Sequence, residues 1–492
     1  MQGPDELSRA LADLCAGGRV EVHEDGEFLA GLGGFHFEVQ QKGSQLLLHL
    51  WSDERNLVRR VLRVAEQSDG HLLLEVQRFG RTKPGRLEFH VPGRARPPAR
   101  LTRERFRARF KQLLSETFPD ESVESLTSAP DLERSLSGSY ARGLLRSGQR
   151  GWAVMGVSSS EDAATIDAIL SFGIVWFDWQ REHARRIVVA GLRLFLPAGS
   201  SRVTAHRLQA LSADARVEIY EVDEGAWRAR RVDPADIGNL ATWLTPRREA
   251  DETLHAAESV VRKVQALAPG AIDAVVPPGT REVALRFRGL EFARWHNGQL
   301  YCGLPDERRL VGARDWPLVE KLVRELAAHR NADAADTHHP LYRAQSERWL
   351  ETLALADPAR LDAQLDPQHL YSQVPAFSAG DRGVIDLLGV TRDGRLAVIE
   401  LKVSEDIHLA LQAVDYWLRV RWHHQQGDFQ RYGYFAGLEL QARPPRLLLV
   451  APGLRFHPVT DTVLRYLSEE VEVVRVGLNE NWRRGIEVVF RL

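Results

Sequence analysis

Two apolar runs, Gly383 to Thr391 and Arg395 to Val403, lie on either side of one tight turn. Within them Asp386 interrupts the first, and Glu400 and Lys402 stand near the end of the second. Rich in Val, Ile and Leu and bounded by glycine and aspartate, both runs read as strands of a β-hairpin. Alternate residues of a strand share a face, so Leu396, Val398, Glu400 and Lys402 point one way and Ala397, Ile399, Leu401 and Val403 the other. Whether Asp386 joins Glu400 depends on the turn. A two-residue Asp393-Gly394 turn sets Asp386 opposite Leu401, on the wrong face. A three-residue loop, Arg392-Asp393-Gly394 with Gly394 in the left-handed region, pairs Thr391 with Arg395 and Asp386 with Glu400, and this is the loop expected. Carboxylates directly opposite repel by ~0.2–1 kcal/mol, more where apolar neighbours exclude water. A divalent cation converts that repulsion into a site. Hard oxygen ligands that leave room for water suit Mg2+ or Mn2+, and Lys402 is placed to orient or deprotonate a water beside it.

Around this hairpin the C-terminal third reads as an α/β sandwich on a central mixed sheet. A helix over Tyr342 to Leu355 precedes a strand over His369 to Phe377 and the hairpin. A long helix from Glu405 to His423 follows, then a strand Arg446 to Val450, a helix Val459 to Leu467, and strands Val471 to Val476 and Ile486 to Phe490. On the long helix His408, Gln412 and Tyr416 are four apart and form one polar stripe, while Ile407, Leu411, Val414 and Leu418 form the buried one.

Taken together, residues 338 to 492 resemble the PD-(D/E)xK nuclease superfamily, and Gln412-Ala413-Val414-Asp415-Tyr416 is similar to the Gln-x-x-x-Tyr element of its RecB-like members. The resemblance implies a restriction-endonuclease-like fold, with Asp386 and Glu400 as metal ligands, Lys402 as the catalytic lysine, and Gln412 and Tyr416 as active-site residues. A further Glu on the first core helix is implied; Glu347 and Glu351, one turn apart, both qualify, and Glu347 is preferred. Ile385 stands where the proline that names the motif would be. Asp381 and Arg382 just upstream read as a surface loop.

The rest of the 492-residue chain divides into a small antiparallel β domain (1–95), a basic helix and connector (96–149) and a middle α/β domain (150–330). Pro92-Gly93-Arg94-Ala95-Arg96-Pro97-Pro98 is a linker by composition, and Asn331 to Asp336 is read as the linker to the last domain. Net charge is −2, so nucleic-acid affinity has to come from local patches. One such patch runs from Arg78 to Lys111. Within it Thr102 is expected to cap a helix on which Arg103, Arg107 and Lys111 share a face, fit to follow a phosphate backbone. In the middle domain a helix Asp162 to Phe172, strands Ile174 to Trp179 and Ile187 to Leu196, a helix after Ser201 and a strand Val217 to Val222 are expected. That order echoes the C-terminal core, with Asp178 fourteen residues before Leu192-Arg193-Leu194. It is either a copy that has lost its chemistry or an unrelated domain. A second echo links Gly34-Phe35-His36-Phe37 and Gln45-Leu46 with Gly289-Leu290-Glu291-Phe292 and Gln299-Leu300. Shared turn chemistry or duplication would each produce it.

Two isolated cysteines, Cys15 and Cys302, exclude a disulfide framework or a zinc site. With no apolar run long enough to span a bilayer, no membrane partner and a cytoplasmic location are expected. No Gly-rich phosphate loop or nucleophile elbow is present. The expectation is a metal-dependent DNA nuclease, with a binding or scaffold protein on an inactive nuclease fold as the alternative. Nothing in the chain reads a 2′-hydroxyl, so RNA stays open as a substrate, and oligomeric state has no signal.

Overall fold

The computed structural model describes residues 4–492 except 17–19, 25–26, 32–35, 43–44, 52–55, 69–70, 79–83, 91–98, 132, 236–241, 245, 248–249, 278, 305–307, 313 and 379–382. Arg81, Lys83, Arg94, Arg96, Asp381 and Arg382 fall outside the described residues, as does the linker Pro92 to Pro98. The chain is an α/β protein of several sheets, antiparallel and mixed, and divides into two compact units, Met1–Arg105 and Phe106–Leu492.

The first unit opens with helix α1 (Pro4–Ala16). Seven antiparallel strands follow: β1 (Glu21–Glu24), β2 (Glu27–Gly31), β3 (His36–Lys42), β4 (Gln45–Trp51), β5 (Asn56–Ser68), β6 (His71–Arg78) and β7 (Gly85–His90). The expected small β domain is this sheet. Leu48, Leu50, Leu72, Leu74 and Val76 alternate inward and close on Leu7, Leu11 and Leu14 of α1.

Helix α2 (Ala99–Thr117) starts three residues before Thr102, so Thr102 is not its cap. Its Phe106, Phe110, Leu113 and Leu114 pack on a six-stranded sheet. That sheet is built from β8 (Ser122–Thr127), β9 (Tyr140–Ser147), β10 (Arg150–Val157), β11 (Val188–Pro197), β12 (Val217–Asp223) and β13 (Arg228–Val232), in sequence order. Helices α3 (Ala163–Asp167) and α4 (Ile169–His183) join β10 to β11, and α5 (Arg202–Leu208) joins β11 to β12. Two expectations fail here. Ile174 to Trp179 is not a strand but the middle of α4, which is buried nearly all round and so lacks a polar stripe to betray its period. The boundary at 149/150 falls inside the hairpin β9–β10, whose glycines and arginines mask its strand pattern.

Beyond β14 (Thr242–Leu244) and α6 (Ala250–Gln265) lies a five-stranded antiparallel meander. It comprises β15 (Ile272–Val275), β16 (Glu282–Phe287), β17 (Leu290–His296), β18 (Gln299–Cys302) and β19 (Arg309–Leu310), closed by α7 (Trp316–His329). The region 150–330 thus holds strands of three sheets rather than one domain. Asn331 to Asp336 is no loose linker either. Arg330, fully buried, donates to the carbonyls of Phe287 at 3.0 Å, Leu341 at 2.9 Å and Ala344 at 2.6 Å, which ties the meander to the helices that follow.

Those helices are α8 (Pro340–Arg343) and α9 (Ser346–Ala356). The last sheet has the order β14, β20 (Leu365–Ser378), β21 (Val384–Thr391), β22 (Leu396–Leu401), β23 (Arg446–Pro452), β24 (Val473–Leu478) and β25 (Val488–Arg491). Helix α10 (Leu409–Gln425), with the short α11 (Asp428–Arg431) after it, links β22 to β23; α12 (Val459–Leu464) links β23 to β24. Leu396 and Val398 face α10, and Ala397, Ile399 and Leu401 face Trp349 and Leu350 of α9, as the alternation requires.

Strands β21 and β22 pair Leu387 with Ile399 and Val390 with Leu396. The next pair in that register is Asp386 with Glu400. The three-residue loop produces it: Thr391 N–H donates to the Arg395 carbonyl at 2.8 Å, and Gly394 has φ +89°. A Cβ on Gly394 would stand 2.3 Å from the Glu439 carbonyl oxygen. Gly394→Ala is therefore expected to cost about 2 kcal/mol in urea unfolding, from positive-φ strain and the backbone clash together. A change below about 0.5 kcal/mol would show that the loop relaxes freely.

Candidate active site

Asp386 and Glu400 sit side by side near the C-terminal end of β22. Glu400 is 2 % exposed, and its Oε2 meets no hydrogen-bond partner. Asp386 is half-buried and its Oδ2 accepts the Leu401 N–H at 3.0 Å, which fixes the carboxylate beside its neighbour. Both acids are pushed above their ordinary range: Glu400 well above it by burial and then by Asp386, Asp386 by burial against the relief of the Leu401 N–H.

Lys402 points to the same place. Its Nζ lies 3.8 Å from Glu347 Oε1 and 3.7 Å from Asp406 Oδ2. Burial acts to lower its pKa, but Glu347, Glu400, Asp406 and Asp386 together outweigh that, and the net shift is upward. Lys402 is an ammonium ion at neutral pH.

Of the two glutamates on α9, Glu347 meets Lys402. Glu351 turns inward, 2 % exposed. It accepts from Arg348 Nη1 at 2.6 Å and Gln373 Nε2 at 2.7 Å, and Arg286 of β16 stands 3.6 Å away. Gln373, Arg348, Arg286 and Asp406 were not singled out by the sequence. Gln373 alone left a trace, an amide directly before the apolar run Val374-Pro375-Ala376-Phe377, and its φ of +54° within β20 marks the local distortion that seats it.

From α10, Tyr416 reaches the acids and Gln412 hydrogen-bonds its hydroxyl. Burial, followed by Glu400, raises the phenol, so it stays a proton donor. His408 does not complete the stripe; it stands just before the first turn of α10 with its ring edge-on to Phe172, 5.8 Å between centroids. Arg103, Arg107 and Lys111 share a face of α2, the helix that covers the six-stranded sheet, with Lys111 exposed and the two arginines half-buried.

No protein-family model matches this chain, and no curated protein does.

Five carboxylates (Asp386, Glu400, Glu347, Glu351, Asp406) and three cations (Lys402, Arg348, Arg286) converge here. Burial is the first reason that Asp386, Glu400 and Glu351 all shift upward, and the excess of two negative charges is one that protons or a cation would meet. The orphaned Glu400 oxygen and a twofold charge excess fit one divalent ion. Among the described residues no three His, Cys, Asp or Glu side chains form a preformed ligand cage, so the remaining ligands would be water or substrate oxygen, as magnesium ordinarily takes them.

Glu351 is raised to about 7, by burial first, with Arg348 and Arg286 acting against it. An acid whose folded pKa exceeds its unfolded one keeps its proton longer in the native state, so its contribution to stability is lost as pH rises from about 4.5 to about 7. Urea unfolding of Glu351→Gln against the wild type is expected to show the difference moving in the variant's favour across that window. A difference independent of pH would mean that Glu351 titrates normally.

Proposed function

We propose that residues 338 to 492 form a PD-(D/E)xK-type, restriction-endonuclease-like core that hydrolyses phosphodiester bonds of DNA with Mg2+ or Mn2+. The observation that carries this reading is the hairpin register, which sets Asp386 against Glu400 with one Glu400 oxygen unpartnered and the Lys402 ammonium beside both. Asp386 and Glu400 would hold the metal ion, whose chemistry there is to polarise a phosphoryl oxygen and acidify a water.

The chain's own residues supply the rest. Lys402, held as an ammonium ion, orients the attacking water and offsets the charge that builds on the phosphate. Because four carboxylates favour its charged form, it acts by charge rather than as the base. Glu347 and Asp406 hold the Lys402 amine between them, and Arg348 with Gln373 keeps Glu351 from crowding Asp386. Tyr416, a protonated donor braced by Gln412, is placed to bond a phosphate oxygen or the leaving group. The basic face of α2 is the expected contact for the substrate backbone.

Lys402→Ala is expected to lower cleavage of DNA ~10²-fold or more while leaving DNA binding largely intact. Equal cleavage by variant and wild type would reject the nuclease. Titration calorimetry with manganese is expected to give uptake that Asp386→Asn and Glu400→Gln abolish; no uptake by the wild type would favour a binding or scaffold protein on an inactive fold.

A further inference from the structure

The six-stranded sheet and the last sheet follow one plan. Strands β8 to β13 and β20 to β25 run in the same order, with the same succession of antiparallel, antiparallel, parallel, parallel and antiparallel pairings. Helix α4 stands where α10 does, and α5 where α12 does. Val203-Thr204, Leu208, Leu211 and Ser212 recur at one constant spacing as Val459-Thr460, Leu464, Leu467 and Ser468. Each core follows a helix and an antiparallel sheet, α1 with β1 to β7 and α6 with β15 to β19, and the Gly34 and Gly289 segments echo each other there. Duplication accounts for both echoes at once; shared turn chemistry accounts for neither sheet order.

The two cores also meet as the halves of a two-fold dimer do. Leu211 bridges Leu467; Ser212 N–H donates to the Tyr466 carbonyl at 2.9 Å, and Ser468 N–H donates to the Ala210 carbonyl at 2.8 Å. Arg207 forks onto Asp415 of α10 at 2.9 and 2.8 Å, while Asp178 of α4 accepts from Arg465 at 2.7 Å and Tyr466 at 2.8 Å. Reciprocal contacts of this kind are the mark of an isologous interface. Here both halves lie in one chain.

The equivalence locates a second site. Leu449, three residues before Pro452, pairs with Glu400; Leu194, three before Pro197, pairs with Met155. Across the hairpin Met155 faces Arg142, as Glu400 faces Asp386, and Val157 stands for Lys402. From the mates Asp178 and Asp415, Val175 replaces Gln412 and Trp179 replaces Tyr416. Asp178 and Leu192-Arg193-Leu194 are therefore not the counterparts of Asp386 and Glu400-Leu401-Lys402.

At the mate of Asp386 a carboxylate has become a guanidinium. Arg142 is 3 % exposed, lies over Trp176 at 5.6 Å, and donates from Nη2 to the Ala129 carbonyl at 2.6 Å; its Nε and Nη1 are buried without partners, as is Nε1 of the adjoining Trp179. The nearby Asp131 is engaged by Arg134 at 2.7 Å. Buried donors left unpaired are costly. One copy thus orphans a single carboxylate oxygen, Glu400 Oε2, and the other the donors of a guanidinium at the position that faces the mate of Glu400 across the equivalent hairpin.

We propose that the second site takes a phosphate group where the first takes a cation, so that the chain is an internal dimer with one cutting half and one strand-holding half. The phosphate site stands on Arg142 alone; that its phosphate belongs to a nucleic-acid strand rests on the nuclease reading above.

The test uses the full-length protein in chelator, where nothing is cut. Inorganic phosphate is expected to bind by titration calorimetry, at least tenfold more weakly in Arg142→Met and with unchanged affinity in Lys321→Ala, which removes an exposed cation of α7. Should Arg142→Met not fold, Arg142→Lys keeps the charge, loses the fork, and is expected to bind several-fold more weakly. No phosphate uptake by the wild type, or equal affinity in the folded Arg142 variant, overturns the site. A short single-stranded oligonucleotide is expected to displace the phosphate; displacement by a free mononucleotide but not by the oligonucleotide would overturn the strand-holding role. Absence of cleavage with phosphate binding intact would sink the nuclease and leave this site standing.

Discussion

The register of one hairpin governs the candidate site. Gly394, at φ +89° and pressed against the Glu439 carbonyl, lets the β21–β22 turn close in three residues, and every pair along the two strands follows from that. One residue more or fewer would turn Asp386 to the α9 face, where Ile399 and Leu401 pack. With the register as it is, two carboxylates share a nearly dry position. The surrounding groups read as responses to that burden: Lys402 within reach of four acids, the Leu401 N–H on Asp386, Arg348 and Gln373 on Glu351.

Helix α10 explains how the site is kept rigid. One side of it packs on its own sheet through Ala413, Val414 and Trp417, and the other, through Ala410 and Leu411, enters the core formed around α4. A helix held on both sides has little freedom to move Gln412 and Tyr416. The Arg207–Asp415 fork, mostly desolvated, adds direction to that packing. The six-stranded half is thus a structural support for the half that carries the candidate site. On the other flank Arg286 extends from the meander to Glu351, and Arg330 fastens the same meander to α8 and α9.

Reading the sequence succeeded where local signals are strong and failed where burial erases them. The C-terminal strands were legible because Val, Ile and Leu runs end at Gly, Pro or Asp, and the Gly394 loop could be reasoned from the faces of two strands. Helix α4 was not legible: surrounded by apolar neighbours, Ile174 to Trp179 shows no period and looks like a strand. The hairpin β9–β10 escaped for the opposite reason, since Gly143, Gly151 and Gly156 dilute its pattern; a Cβ at Gly143 would stand 2.1 Å from the Ser125 carbonyl oxygen, so glycine there serves close strand approach. Without that hairpin, spacing offers only Asp178 and Leu192-Arg193-Leu194 as an echo of the C-terminal residues.

The sequence alone determined the chemistry available: which residues carry charge inside apolar strands, that Glu400 and Lys402 share a face, and that a glycine stands where a three-residue loop needs one. Those are consequences of local geometry, which a chain carries at every position. Tertiary structure decided which distant groups meet. Arg286, Arg348, Gln373 and Asp406 joined the acids, His408 went to Phe172 instead, and Arg142 came to lie buried against Trp176 in the six-stranded half. Contacts between residues far apart in the chain depend on how whole sheets and helices pack, and no spacing within one segment encodes them.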